Sequence, residues 1–361
     1  MTVTETRPTA PSGPERGLDL TGNKFDRPKH IAVLVGAVIV GALSWLPGGD
    51  VNWARWVIVS VLVYCVAVYV VARLVEGKRA GVDRAMAAIV TSAFALVAAP
   101  LVSLVYTVIV EGTNRFDGDF FSQTMRGVVG EGGGAYHAIV GTLIITGLAT
   151  LMSVPFGLFT AIYIAEYGQG KRLAKSIQSM VDVMTGIPSI VAGLFAYAFF
   201  EIWWGPGTRS GISGAVALTV LMTPVVVRSA EEMLKLVPDE LREASYALGV
   251  PKWKTIVKVV LPTAIAGLIT GVVLAIARVI GETAPLLVTA GLAQGANWNP
   301  FEGRMTTLPV YTYYQYTQPG VPPEAGQERA WAGALVLIII VMVLFTLARI
   351  LSHVLKPKGL R

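Results

Sequence analysis

The sequence predicts an all-α, polytopic membrane protein, and three observations predict it. Of 361 residues, 54% are hydrophobic and only 14% are charged, where a soluble domain carries about 25% charged residues. Eight apolar stretches each approach or exceed the roughly 17 to 25 residues a helix needs to cross a bilayer. The Lys and Arg residues lie almost entirely between those stretches and favour one side. A single cysteine, Cys65, and three histidines far apart in sequence (His30, His137, His353) offer no disulfide framework and no metal-binding spacing. No His-Glu-x-x-His run or comparable catalytic constellation is present, so catalytic and metal sites are expected to be absent from this chain.

Residues 1–29 are rich in Thr, Pro, Gly and charge. They cannot bury enough apolar surface to order themselves and read as a disordered cytoplasmic tail. A cleaved signal peptide would begin its apolar core much nearer the N-terminus. Candidate spans follow at about 31–47 and 54–74, joined across Gly48 to Trp53, and form an N-terminal transmembrane hairpin within 30–76. Six more lie at about 84–110, 137–165, 177–202, 211–233, 262–291 and 330–352, within a second unit over 84–353. Residues 354–361 close the chain as a second cytoplasmic tail.

Charge placement orients this arrangement. With the N-terminus inside, the cytoplasmic segments hold 22 of the 29 Lys and Arg residues. The outer segments hold Arg55, Arg115, Arg126, Arg209, Arg304 and Arg329, and Arg278 lies within a span. Both termini are therefore expected on the cytoplasmic side. The same bias accounts for a pI near 9.4 without nucleic acid as a partner.

Two outer loops are long, about 111–136 and 292–329. Gly132-Gly133-Gly134 in the first reads as a flexible linker. Tyr311, Tyr313, Tyr314 and Tyr316 in the second read as a belt at the headgroup level, or as a docking surface for an external partner.

The longest cytoplasmic stretch, 238–262, has its own internal order. Pro238 suits the first position of a helix, with Asp239 and Glu240 in its first turn. Leu241, Ala244, Ser245 and Leu248 keep i, i+3, i+4, i+7 spacing. Gly249 stands where a left-handed cap is needed. Pro251 can start a second helix, with Trp253, Ile256, Val257 and Val260 as its apolar side. Such an element exposes apolar surface that a partner would cover, or that would rest on lipid.

Arg278 and Glu282 lie in the span 262–291, where each costs roughly 2.5 to 3.5 kcal/mol on insertion scales. Their i, i+4 spacing predicts an ion pair, and Pro285 predicts a disturbed helix just beyond. Two readings stay open: a structural pair that locks helix packing, or an anion site in which Glu282 neutralises Arg278 until substrate displaces it. The planar donor fork of Arg suits a tetrahedral oxyanion. Arg228 reads either as a snorkelling anchor or as part of an inner anion route.

Three segments carry a resemblance. Glu243-Ala244-Ser245-Tyr246-Ala247-Leu248-Gly249, closed by Leu261-Pro262, resembles the Glu-Ala-Ala-x-x-x-Gly loop of ABC importer permeases, with Ser245 in place of the second alanine. Arg278-Val279-Ile280-Gly281-Glu282-Thr283-Ala284-Pro285 resembles a signature of phosphate ABC transporter permeases of the PstA type. Thr223-Pro224 through Arg228 to Glu231, and Gly186-Ile187-Pro188-Ser189, are similar to further segments of that family. The long loop carrying Leu308-Pro309-Val310-Tyr311 favours the A type over its C-type partner.

The resemblance implies a type I ABC importer fold of six core transmembrane helices, to which the hairpin 30–76 is an extension. It implies an inner-membrane permease subunit that imports inorganic phosphate, with an ion-coupled anion transporter or a permease for another oxyanion as the alternatives. It implies a homologous C-type permease, a dimer of ATP-binding subunits and an extracytoplasmic phosphate-binding protein as partners. Glu243, Ala244, Gly249, Leu261 and Pro262 would couple to the ATPase. Arg278, Glu282, Thr283 and Arg228 would line the substrate pathway. No Gly-x-x-x-x-Gly-Lys-Ser/Thr loop occurs, so ATP would be used by the partner and this chain would hold no cofactor.

Overall fold

A computed structural model describes residues 27–43 and 53–355. The expected tails 1–29 and 354–361 and the loop after Leu43 fall wholly or largely outside the described residues. The described elements are helical, with no strand among them. The chain divides into two units after Leu104.

The first unit contains α1 (Arg27–Leu43), α2 (Trp53–Glu76) and the start of α3 (Lys78–Gly112). Helices α1 and α2 pack as the expected hairpin. A side chain at Gly41 would meet the Ser60 hydroxyl, so glycine permits the close approach. The Trp56 indole N–H donates to the Val38 carbonyl at 3.1 Å. An apolar crevice of about 450 Å³ lies among these helices, lined by Leu34, Val38, Trp56, Tyr64 and Leu96. Among the described residues, no charged side chain faces it.

The second unit adds α4 (Gly118–Ser122), α5 (Tyr136–Ile162), α6 (Arg172–Thr185), α7 (Ser189–Trp204) and α8 (Gly211–Lys235). It continues through α9 (Asp239–Ala247), α10 (Lys252–Thr255), α11 (Leu261–Ile280), α12 (Ala284–Thr289), α13 (Leu308–Thr317) and α14 (Pro323–Leu355). Helix α8 is the centre of this unit. Its small residues Gly211, Ser213, Gly214, Ala215 and Ala217 are buried and let neighbours come close. Gly157 of α5 fits against Val226, where a Cβ would lie 2.7 Å from a Val226 methyl. The hydroxyls of Ser153 and Thr223 meet at 3.1 Å across the same interface. Ile145, Leu218, Met222, Val279 and Leu286 complete the shared core.

Among the described residues six helices are long and apolar enough to cross a membrane, or seven if one bent pair counts as a span. Eight stretches were expected, and the reading of one of them changes. The stretch 177–202 is not one helix: α6 and α7 meet at 105°. Gly186, Ile187 and Pro188 form the break, because Pro188 disfavours helical backbone at the residue before it. The first helix, α1, has 17 residues and is the shorter apolar helix.

Two loop readings change as well. The Gly132-Gly133-Gly134 run is pinned rather than a free linker. The Arg329 guanidinium donates to the carbonyls of Gly130 at 2.8 Å and Gly132 at 3.0 Å. Arg115 donates to the Gly133 carbonyl at 3.1 Å. A Cβ on Gly134 would sit 2.5 Å from the Phe120 carbonyl, so glycine serves packing there. Tyr311 is not part of an aromatic belt. It is buried on α13 and packs edge-on against His137, and burial holds its phenol well above the usual value. Tyr313 and Tyr316 remain exposed.

Candidate functional site

The proposed anion residues sit where α11 ends. The helix stops at Ile280 with Gly281 as its cap, and the Glu282 amide donates to the Val279 carbonyl at 3.1 Å. Pro285 then occupies the first turn of α12. The expected disturbance is therefore a complete break over Gly281 to Thr283. Unwound backbone at membrane depth is tolerated where protein buries it or a water-filled cavity satisfies it.

Arg278 and Glu282 line one cavity of about 220 Å³, with Thr185, Ile187 and Ser189 from the α6–α7 bend and Leu221, Pro224 and Val225 from α8. Three elements thus build it: the bend, the middle of α8 and the frayed end of α11. The expected ion pair does not form, since no salt bridge joins Arg278 to Glu282 among the described residues. The physical reason is the break: Glu282 lies beyond the last helical turn, so i, i+4 stacking no longer applies. Arg278 is exposed on this chain and Glu282 is half-buried. Thr283 caps α12 without a side-chain hydrogen bond and is not among the residues lining the cavity.

Arg228 is placed differently. It pairs with Asp182 of α6, and its guanidinium reaches Glu231 at 3.3 Å. Glu231 is 2% exposed. It also accepts from Lys235 at 2.6 Å and from Gln178 at 2.7 Å. The group ties α6 to α8 one turn beyond Pro224. Asp182 and Gln178 were not singled out from the sequence, and Glu231 only as the last residue of the segment that begins at Pro224. Nothing in their spacing signals that α6 folds back onto α8.

The segment 238–262 folds much as its residues suggest. Helix α9 starts after Pro238 with Asp239 and Glu240 in its first turn. Gly249 has φ of +74°, the left-handed conformation expected there. The Val250 amide donates to the Ser245 carbonyl at 3.2 Å, a back-bond of the kind that closes a glycine cap. Ser245, standing where alanine is usual, is buried and bonds the Thr255 hydroxyl at 2.8 Å. The second helix is not separate: it runs on through a wider turn, Ile256–Val260, into α11. The whole stretch Lys252–Ile280 counts as one span. Leu261 and Pro262 therefore lie inside a continuous helix, where Pro262 takes an early position in α11. Glu243, Ala244, Leu248 and Trp253 are exposed, with Leu248 84% exposed.

One strap escaped the sequence reading. Arg242 of α9 donates to the Glu166 carboxylate at 2.8 and 3.2 Å. It also donates to the carbonyls of Val237 at 2.6 Å and Leu234 at 2.9 Å. Glu166 is 5% exposed and lies in the wide turn Tyr163–Tyr167 that ends the α5 span. The partners are 76 residues apart, beyond any local pattern.

With fold and site in place, the class is plain. The chain belongs to the family of binding-protein-dependent transport system inner membrane components, whose sequence profile matches residues 153–359. More particularly, it is 47% identical over 253 residues to "Phosphate transport system permease protein PstA 1" of Mycobacterium tuberculosis, covering 69% of this chain and 82% of that one. It is 39% identical over 247 residues to "Phosphate transport system permease protein PstA" of Pasteurella multocida, covering 68% and 86%. A solved inward-facing MetNI methionine ABC transporter shares the fold with a TM-score of 0.51 at 21% identity, over 62% of this chain and 96% of that one. The hairpin α1–α2 lies outside the family match.

Proposed function

We propose that this chain is the transmembrane subunit of an ATP-driven importer that carries inorganic phosphate into the cytoplasm. One observation carries the reading: Arg278 and Glu282, neither of them in a salt bridge among the described residues, share a cavity at a helix break. An intramembrane charge is retained at a cost of a few kcal/mol only where it serves packing or passage. Among the described residues Arg278 makes no ion pair that would tie it to packing, which favours passage. The donor fork of Arg278 suits a tetrahedral oxyanion, and the relatives named above are phosphate permeases.

In this reading Arg228, on the α8 face of Pro224 and one turn away, continues the route at its inner end. Thr283 flanks the break. The exposed face of α9 with Leu248 and Trp253 seats an ATPase subunit, through Glu243, Ala244 and Gly249. Because Lys252–Ile280 is one helix, movement at the ATPase reaches Arg278 along a continuous rod that includes Leu261 and Pro262. A second, homologous permease covers the side on which Arg278 is exposed, two ATPase subunits hydrolyse ATP, and an external binding protein delivers substrate. This chain itself neither hydrolyses ATP nor holds a cofactor, and both termini face the cytoplasm.

The test is phosphate uptake by cells whose only copy carries Arg278→Ala, with sulfate uptake as the control. The reading expects phosphate uptake to fall by at least about tenfold, the scale of losing one charge-assisted contact, with sulfate unchanged. Normal phosphate uptake would refute it.

A further inference from the structure

Because the expected pairing with Arg278 does not form, Glu282 makes no salt bridge among the described residues, and a carboxylate beside an anion site needs an account. Alone it repels an oxyanion. It attracts one only if the anion brings a proton to share. We infer that Glu282 is a specificity-determining residue: its carboxylate accepts a hydrogen bond from the P–OH of a protonated phosphate held by Arg278. This rests on the cavity being the anion site proposed above.

The chemistry separates anions of equal shape. At neutral pH inorganic phosphate and arsenate keep at least one proton, whereas sulfate keeps none. Monofluorophosphate matches phosphate in size and charge but offers no hydroxyl. The other polar groups lining the cavity are the hydroxyls of Thr185 and Ser189. A hydroxyl rotates to donate or accept, so it cannot tell these anions apart. An ionised carboxylate only accepts. A proton-free dianion therefore meets Glu282 with repulsion and no hydrogen bond, and repulsive elements of this kind are how sites exclude close analogues. Glu282 also has the freedom the role requires. It stands on unwound backbone at the end of α11 and is half-buried, with no salt bridge to hold it.

The test measures phosphate binding to the purified permease–ATPase complex without any external binding protein, by phosphorus NMR line broadening up to tens of millimolar. Arsenate, sulfate and monofluorophosphate serve as competitors. For the native complex, arsenate should compete like phosphate. Sulfate and monofluorophosphate should compete roughly 10- to 100-fold more weakly, the factor for one charge-assisted hydrogen bond. Glu282→Gln can donate its amide to a bare oxygen, so it should bring sulfate to within about threefold of phosphate. Glu282→Asp keeps the carboxylate and should keep the discrimination, which a merely structural role would not predict. Equal competition by sulfate in the native complex, or an unchanged ratio in an assembled Glu282→Gln complex, overturns the inference. Loss of the site reading looks different: binding is then absent in the native complex or survives Arg278→Gln.

Discussion

Replacing Arg242 by Ala isolates the strap between α9 and the end of α5. The side chains of Arg242 and Glu166 are 14% and 4% exposed, so water cannot readily take the place of either partner. Removing the arginine leaves a buried carboxylate and two carbonyls, at Val237 and Leu234, without their donor. Breaking a buried pair in this way costs about 3–5 kcal/mol. The lower end applies here, because the cavity left by Arg242 opens toward solvent at Asp239, whose side chain is 85% exposed. A loss of about 3 kcal/mol is expected in detergent unfolding of the purified protein. Glu166→Gln should cost less, since its amide oxygen still accepts from Arg242. The double variant should then recover about 1–2 kcal/mol relative to the sum of the singles, as coupled neighbours do. On the proposed reading transport should fall as well, because the strap fixes the angle at which α9 would meet an ATPase subunit. If Arg242→Ala costs under about 0.5 kcal/mol and the two changes simply add, the strap is a surface contact and the reasoning is wrong.

Gly249→Ala meets no steric obstacle, as nothing lies within 4 Å of the added methyl, so its cost is conformational, about 1–2 kcal/mol. Gly249→Asn should cost less, and ATPase co-purification should follow that order. The Glu231 cluster predicts an asymmetry. Glu231→Gln lets the half-exposed Arg228 and Lys235 rehydrate, at about 1 kcal/mol. Removing both cations strands a buried carboxylate, at about 3 kcal/mol; thermal unfolding of the two variants checks the order. Arg329→Ala withdraws the donor from Gly130, Gly132 and Gln315. It should expose 127–134 to limited proteolysis that the native protein resists.

The helical class, the position of the long spans and the glycine-capped element at 239–249 follow from the sequence by itself. They rest on local rules: apolar length, proline and glycine backbone limits, and spacing along one helix. The break near Pro285 was legible for the same reason. Tertiary structure alone decided what lies across the chain. It turned 177–202 into a bent pair, because Pro188 weakens that helix and α8 offers a surface for α6 to fold against. It separated Arg278 from Glu282 by ending the helix between them, and it gathered Thr185, Ser189 and Pro224 around both. It joined Arg242 to Glu166, and Asp182 to Arg228, over separations that no periodicity encodes. A charge inside an apolar run announces from sequence that something must satisfy it; which group does so depends on the packing of distant helices, and only the folded chain supplies that.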